Sequence, residues 1–232
     1  MTDLQIPALD GQSFGAYLAQ PATSNAATVI VVQEIFGVNA AMRKICDDLA
    51  RLGYLALCPD LFWRQERNVQ LTDKTDAEMQ AAFKLYNGFD VELGLTDLLA
   101  TLAYARKMPG GNGAVGAVGY CLGGKLAFLF ATRSDIDCAV SYYGVDLEKY
   151  LGDVADIRRP VLMHIAGEDE FMPPDVRAKI LRSVGRNRCI KTELYLSAKH
   201  AFARPDGVHY DPIAATMADE RTADFFAENL RR

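Results

Sequence analysis

Apolar residues recur along this chain in two rhythms, short β-branched runs and longer stretches at helical spacing, and the two alternate to the end. Two short alternating runs between Leu4 and Leu18, parted by Asp10-Gly11, predict a β-hairpin covering one edge of a sheet. Thr28 to Val32 has the composition of a buried parallel strand and runs into Gln33-Glu34-Ile35-Phe36-Gly37. Asn39 can cap the helix that follows, where Met42, Ile45, Leu49 and Leu52 share one face and Gly53 ends the pattern. Tyr54 to Cys58 reads as the next strand, closed by Pro59-Asp60.

The stretch from Leu61 to Thr75 lacks periodicity and predicts a loop reaching over a site. Thr75 and Glu78 form a capping-box pattern before a short helix. Val91, Leu95, Leu98 and Leu102 mark a longer helix, and Gly110 to Gly113 break the chain before a strand at Ala114 to Val118. A helix with Leu126, Leu129 and Phe130 facing inward follows. Further strands are predicted at Cys138 to Tyr143, Pro160 to Ile165 and Lys191 to Leu196. A helix carrying Val176, Ile180 and Val184 separates the last two strands, and a closing helix runs from about Pro212 to Asn229. Strand and helix alternating throughout predict an α/β fold with a mainly parallel, doubly wound sheet, built as a single domain over residues 1–232.

Composition narrows the function. The chain has 232 residues, half of them hydrophobic, and a formal net charge of -5, which argues against a nucleic-acid-binding surface. Met1 to Gln12 holds no apolar block suited to a signal peptide, and no segment has the length of a membrane span, so a cytoplasmic protein is expected. Cys46, Cys58, Cys138 and Cys189 show no paired spacing and read as small packing residues in a reducing compartment.

The fifth cysteine stands apart. Gly119-Tyr120-Cys121-Leu122-Gly123 lies between an apolar strand and a helix, where small residues two positions either side permit a tight strand-to-helix turn. A nucleophile belongs at the centre of such a turn, and here it is a thiol. The same letters nearly match a phosphate loop through Gly124-Lys125, but Leu126 stands where that loop needs a hydroxyl for magnesium. A nucleotide-binding protein is thus a remote alternative. A non-catalytic thiol sensor in which Cys121 is oxidised is another.

In open α/β sheets reactive groups collect at the carboxyl ends of strands. Asp169 follows the Pro160 to Ile165 strand and His200 follows the Lys191 to Leu196 strand. The order nucleophile, acid, base is that of an α/β-hydrolase. A thiol is only slightly ionised near neutral pH, so His200 is the candidate base, with Asp169 orienting its ring and stabilising the imidazolium. Glu168 competes with Asp169 for that part. His164, inside a strand, reads as a satisfied core residue, and His209 as part of a surface loop. Neither has partners for a metal, and none is expected.

The chain resembles the dienelactone hydrolase (carboxymethylenebutenolidase) family over nearly its whole length. The resemblance rests on residues 33–39, 54–60, 83–90, 119–124, 141–144, 167–169 and 200–204, with Glu220-Arg221-Thr222. It implies an α/β-hydrolase fold, no cofactor, a small lactone or ester substrate, a monomer, and Cys121, Asp169 and His200 as the triad. It also implies that Glu34 contacts the resting cysteine and helps form the thiolate when substrate enters. The backbone N–H groups of Leu122 and Ile35 are implied as the oxyanion hole. The implied reaction opens dienelactone to maleylacetate through a thioester on Cys121, with a carboxylesterase or lactonase acting on a different small ester as the alternative. Arg204, Phe36 and Phe83 are the implied substrate contacts. Two arginines are expected to grip the substrate carboxylate; Arg204 matches one, while Met79 stands in place of the other, with Arg64 or Arg67 as conceivable substitutes. Phe83 stands where the family often has tyrosine.

Overall fold

The computed structural model describes residues 4–230. Eight strands form one sheet in the order β1-β2-β4-β3-β5-β6-β7-β8. β1 (Leu4–Pro7) and β2 (Ser13–Ala19) make the expected hairpin, and β2 pairs antiparallel with β4 (Leu55–Pro59). The other pairings, through β3 (Ala26–Val32), β5 (Gly111–Tyr120), β6 (Cys138–Tyr142), β7 (Val161–Glu168) and β8 (Ile190–Lys199), are all parallel.

Parallel pairing dictates the composition. β3, β4 and β6 are buried at every position because helices flank the sheet. α1 (Ala40–Arg51) packs on β2, β3 and β4, and α6 (Pro212–Leu230) on β5, β6 and β7. α3 (Val91–Ala105) and α4 (Leu122–Arg133) pack on each other and on the central strands. α4 is buried from Leu122 to Ala131, which is why it reads as apolar on every side.

Local signals account for the boundaries. Asn39 caps α1 by accepting from the Met42 N–H at 3.1 Å. Thr75 caps α2 (Asp76–Asn87), accepting from the Glu78 N–H at 3.3 Å. Glu78 departs from the reciprocal capping-box pattern, reaching instead to the Thr72 N–H and hydroxyl at 3.0 and 2.9 Å. α5 (Pro174–Val184) lies between β7 and β8 as predicted. One element went unread, a kinked 3-10 segment over Leu147–Asp156, whose interior break at Tyr150 interrupts any regular hydrophobic period.

The registers bring the carboxyl ends of β3, β5, β6, β7 and β8 to one edge. Val32 lies beside Gly119, Gly119 beside Ser141, Tyr142 beside His164, and Glu168 beside Lys199. Cys121, Tyr143, Asp169 and His200 lie immediately beyond four of those ends, and Glu34 lies two residues beyond β3.

Candidate active site

The turn between β5 and α4 leaves no room for side chains at its glycines. A Cβ on Gly119 would sit 1.9 Å from the Gly123 carbonyl oxygen, and one on Gly123 would sit 2.1 Å from that of Val32. Cys121 itself is held at φ 55°, ψ -113°, a conformation costly for an L-residue outside glycine. Its N–H donates to the Tyr142 carbonyl at 3.1 Å, and its carbonyl accepts from Lys125 N–H at 3.1 Å. The surrounding structure therefore holds the strained turn.

Asp169 and His200, far apart in sequence, meet beside it. His200 Nδ1 lies 2.9 Å from Asp169 Oδ2 and 3.1 Å from Oδ1, and both side chains are buried. Asp169 Oδ1 also accepts from the Phe171 N–H at 2.9 Å, which fixes the carboxylate. Glu168 remains exposed on β7 and takes no part in holding the ring. The other ring nitrogen, Nε2, is buried without a hydrogen-bond partner among the described nitrogen and oxygen atoms. Phe171 and Tyr143 stand edge-on to the imidazole, with ring centroids 4.7 and 5.0 Å away. Burial pushes the imidazole pKa down, but the charge of the Cys121 sulfur and the hydrogen bond to Asp169 override it and raise the pKa to about 10.

Cys121 and His200 line a cavity of about 440 Å³ with Ile35, Phe36, Met79 and Phe83. Ile35 lines the cavity, and Leu122 opens α4 directly after Cys121. Phe83, on α2, faces Phe171 at a ring separation of 6.5 Å, and both are partly exposed.

The Glu34 carboxylate is engaged differently from the resting contact with Cys121 that the resemblance implies. Both its oxygens accept from Arg204, Oε2 from Nε at 2.5 Å and Oε1 from Nη2 at 3.2 Å. Arg204 Nη1 is bound in turn to Asp73 Oδ2 at 2.7 Å, and the guanidinium lies 4.7 Å from the Phe36 ring centroid. Arg204 lines the cavity as expected, but its charge already faces two carboxylates. The Tyr143 hydroxyl is buried without a hydrogen-bond partner among the described residues, and the charges of Glu34 and Arg204 act on it.

Other expectations resolve as follows. Arg64 is spent on Asp97 and Asp10, and Arg67 on the Ser13 carbonyl, so neither replaces the arginine missing at Met79. His164 is a satisfied core residue, bonded to the Tyr195 hydroxyl and to Thr222 Oγ1 at 2.9 Å each. Burial pushes its pKa down to about 3. His209 corrects the surface-loop expectation. It is half-buried, lines the cavity, and places Nδ1 3.2 Å from the His200 carbonyl oxygen. Lys125, the would-be phosphate-loop lysine, is buried and paired with Asp146 at 3.1 Å. Asp73, Asp146 and Phe171 escaped the sequence reading, since only the paths of their loops bring them to the site, and Tyr143 was read only as part of a strand and a family motif.

A tight turn carrying Cys121 after a central parallel strand, with Asp169 and His200 beyond two later strands, is the layout of an α/β-hydrolase fold. Comparison with known proteins narrows the class. The dienelactone hydrolase family model matches residues 14–230, and the chain belongs to that family. It is 44% identical over 224 residues to a carboxymethylenebutenolidase of Pseudomonas putida, covering 97% of this chain and 95% of that one. A carboxymethylenebutenolidase 1 of Cupriavidus pinatubonensis is 39% identical, with the same shares covered. Among solved structures, a dienelactone hydrolase-like promiscuous phosphotriesterase from metagenomic libraries superposes with a TM-score of 0.80. It is 22% identical and covers 98% of each chain, a likeness that speaks to the fold alone. The protein is therefore a hydrolase acting on ester or lactone bonds of small molecules.

Proposed function

We propose that the protein opens dienelactone to maleylacetate with Cys121 as nucleophile, His200 as proton carrier and Asp169 as the group that orients it. The observation carrying this reading is the buried His200–Asp169 pair lining one cavity with Cys121, which is held on a strained turn. His200 takes the Cys121 proton, which pairs a thiolate with an imidazolium. The thiolate adds to the lactone carbonyl while the Ile35 and Leu122 N–H groups receive the oxyanion. Collapse breaks the ring C–O bond, leaving a thioester on Cys121 and an enolate that takes the proton of His200.

Acylation removes the sulfur's charge, the strongest influence raising the His200 pKa. The ring then becomes a neutral base able to take a proton from water. Hydroxide attacks the thioester, the C–S bond breaks, and the acid leaves with thiolate and imidazolium restored.

Arg204 is the candidate anchor for the substrate carboxylate. An anion arriving there competes with Glu34 and releases it to act beside the thiol, which reconciles the observed ion pair with the role that the resemblance implies. A monomer working in the cytoplasm, where its five cysteines stay free thiols, completes the reading.

A second reading, an esterase or lactonase for a different small ester, is favoured by the apolar Met79 and Phe83 on the α2 wall. Losing one charge-assisted contact to the substrate costs about 1.5–3 kcal/mol, or roughly 10- to 100-fold in affinity. Steady-state hydrolysis of cis- and trans-dienelactone, with Cys121→Ala as the blank, separates the two. Efficient turnover lost in the blank supports dienelactone. Poor turnover alongside good Cys121-dependent cleavage of a neutral ester supports the second reading.

A further inference from the structure

Lys125 lies in the first turn of α4, one turn beyond the nucleophile, and is 4% exposed. A lysine this buried is costly unless its charge is answered and its donors are used. Its Nζ lies 3.1 Å from Asp146 Oδ2, 3.4 Å from the Tyr86 hydroxyl and 5.0 Å from the Tyr86 ring centroid. The Tyr86 hydroxyl donates to the same Asp146 oxygen, and Lys149 holds the other at 2.7 Å. The Tyr86 hydroxyl thus donates to one side of an ion pair and accepts from the other. Asp146 sits in the left-handed region at φ 58°, a backbone position that aspartate and asparagine tolerate better than most residues.

Tyr86 is also one of three α2 residues lining the cavity, with Met79 and Phe83 on the same helical face. Among the described residues the other contacts of this helix are few, with Phe83 against Phe171 and with Met79 and Tyr86 resting on the core. The helix buries only Ala82 and Leu85, its first turn is held by the Thr72, Thr75 and Glu78 contacts, and Gln65 Nε2 donates to the Leu85 carbonyl at 3.0 Å. At its carboxyl end the described side-chain tie from α2 to the nucleophile region is the one between Tyr86 and the Lys125–Asp146 pair.

We propose that Lys125 and Asp146 are positioning residues. They hold Tyr86, and through it the Met79, Phe83 and Tyr86 wall of α2, against the nucleophile turn, and so limit the length of the group the cavity accepts. The inference rests on reading this cavity as the ester site. It treats the buried pair as a device for conformational specificity rather than for stability. Asp146 remains ionised to low pH: burial raises its pKa, but the hydrogen bonds from Lys149 and Tyr86 and the charge of Lys125 override this and bring it to about 2.

The test uses the full chain with Lys125→Met, and Asp146→Asn as the variant gentler on the backbone. Amide hydrogen exchange over residues 76–87 reads the tie without any activity, and p-nitrophenyl acetate, butyrate and octanoate read its consequence. The expected result is exchange in the carboxyl half of α2 at least about tenfold faster, with β3 and β5 unchanged. Alongside it, the octanoate-to-acetate KM ratio falls roughly tenfold in Lys125→Met while kcat on acetate stays within about twofold. Unaltered exchange in both variants overturns the tie, and faster exchange with an unchanged KM ratio overturns the link to specificity. Failure of the proposed function itself would show separately, as ester turnover in the unsubstituted protein that persists in Cys121→Ala.

Discussion

Arg204 grips both carboxylate oxygens of Glu34, Nε to Oε2 at 2.5 Å and Nη2 to Oε1 at 3.2 Å, from a position 170 residues further along the chain. The cation at the cavity wall is therefore already answered before any substrate arrives. An anionic lactone gains Arg204 only by displacing a carboxylate, whereas a neutral ester leaves the pair intact.

Glu34→Gln should expose this competition. The amide holds the guanidinium less tightly, so KM for an anionic lactone should fall by about tenfold, the equivalent of roughly 1.4 kcal/mol. If the released carboxylate serves the thiol, kcat should fall at the same time. Steady-state kinetics on dienelactone and on p-nitrophenyl acetate separate the effects, because the neutral ester should show no drop in KM.

Arg204→Met should destabilise the fold by about 3–5 kcal/mol, since it strands Glu34 and Asp73 without their cation in a buried setting. Adding Glu34→Gln should recover part of that loss. Urea unfolding of the two single variants and the double variant would measure the coupling between them.

Asp169→Asn should lower kcat on the order of 10³- to 10⁴-fold, because the amide offers His200 the wrong hydrogen-bonding pattern while leaving shape intact. KM should move little. Burst-phase kinetics would show whether acylation or deacylation bears the loss.

Two histidines should respond to pH in opposite directions. His200 binds its proton more tightly folded than unfolded, so its contribution to stability is complete below about pH 6.5 and fades as pH climbs through about 10. His164 refuses a proton in the fold, so its stability is complete above pH 6.5 and declines as pH falls from there toward about 3. NMR titration of the ring protons should find His200 well below 10 in Cys121→Ala, with His164 neutral throughout the neutral range.

The parts of this site legible in the sequence were those fixed by local sterics and by strand ends. Gly119 and Gly123 announce the turn because no side chain fits there, and the placement of Asp169 and His200 after parallel strands leaves them at one edge of the sheet. Asn39 and Thr75 likewise marked their helix starts, since a cap needs only its nearest neighbours. Asp73 and His209 lie on connections without periodicity, so nothing short of the folded path could bring them to Arg204 and His200. Lys125 was legible as a residue type but not as a partner, because Asp146 and Tyr86 reach it from separate elements.

Covalent catalysis by Cys121 can be seen by trapping the acyl-enzyme. Substrate mixed with protein, quenched in acid within one turnover and digested for mass spectrometry, should show the acyl mass on the peptide carrying Cys121 and none in Cys121→Ala. No adduct under rapid quench, together with full turnover by Cys121→Ala, would contradict it.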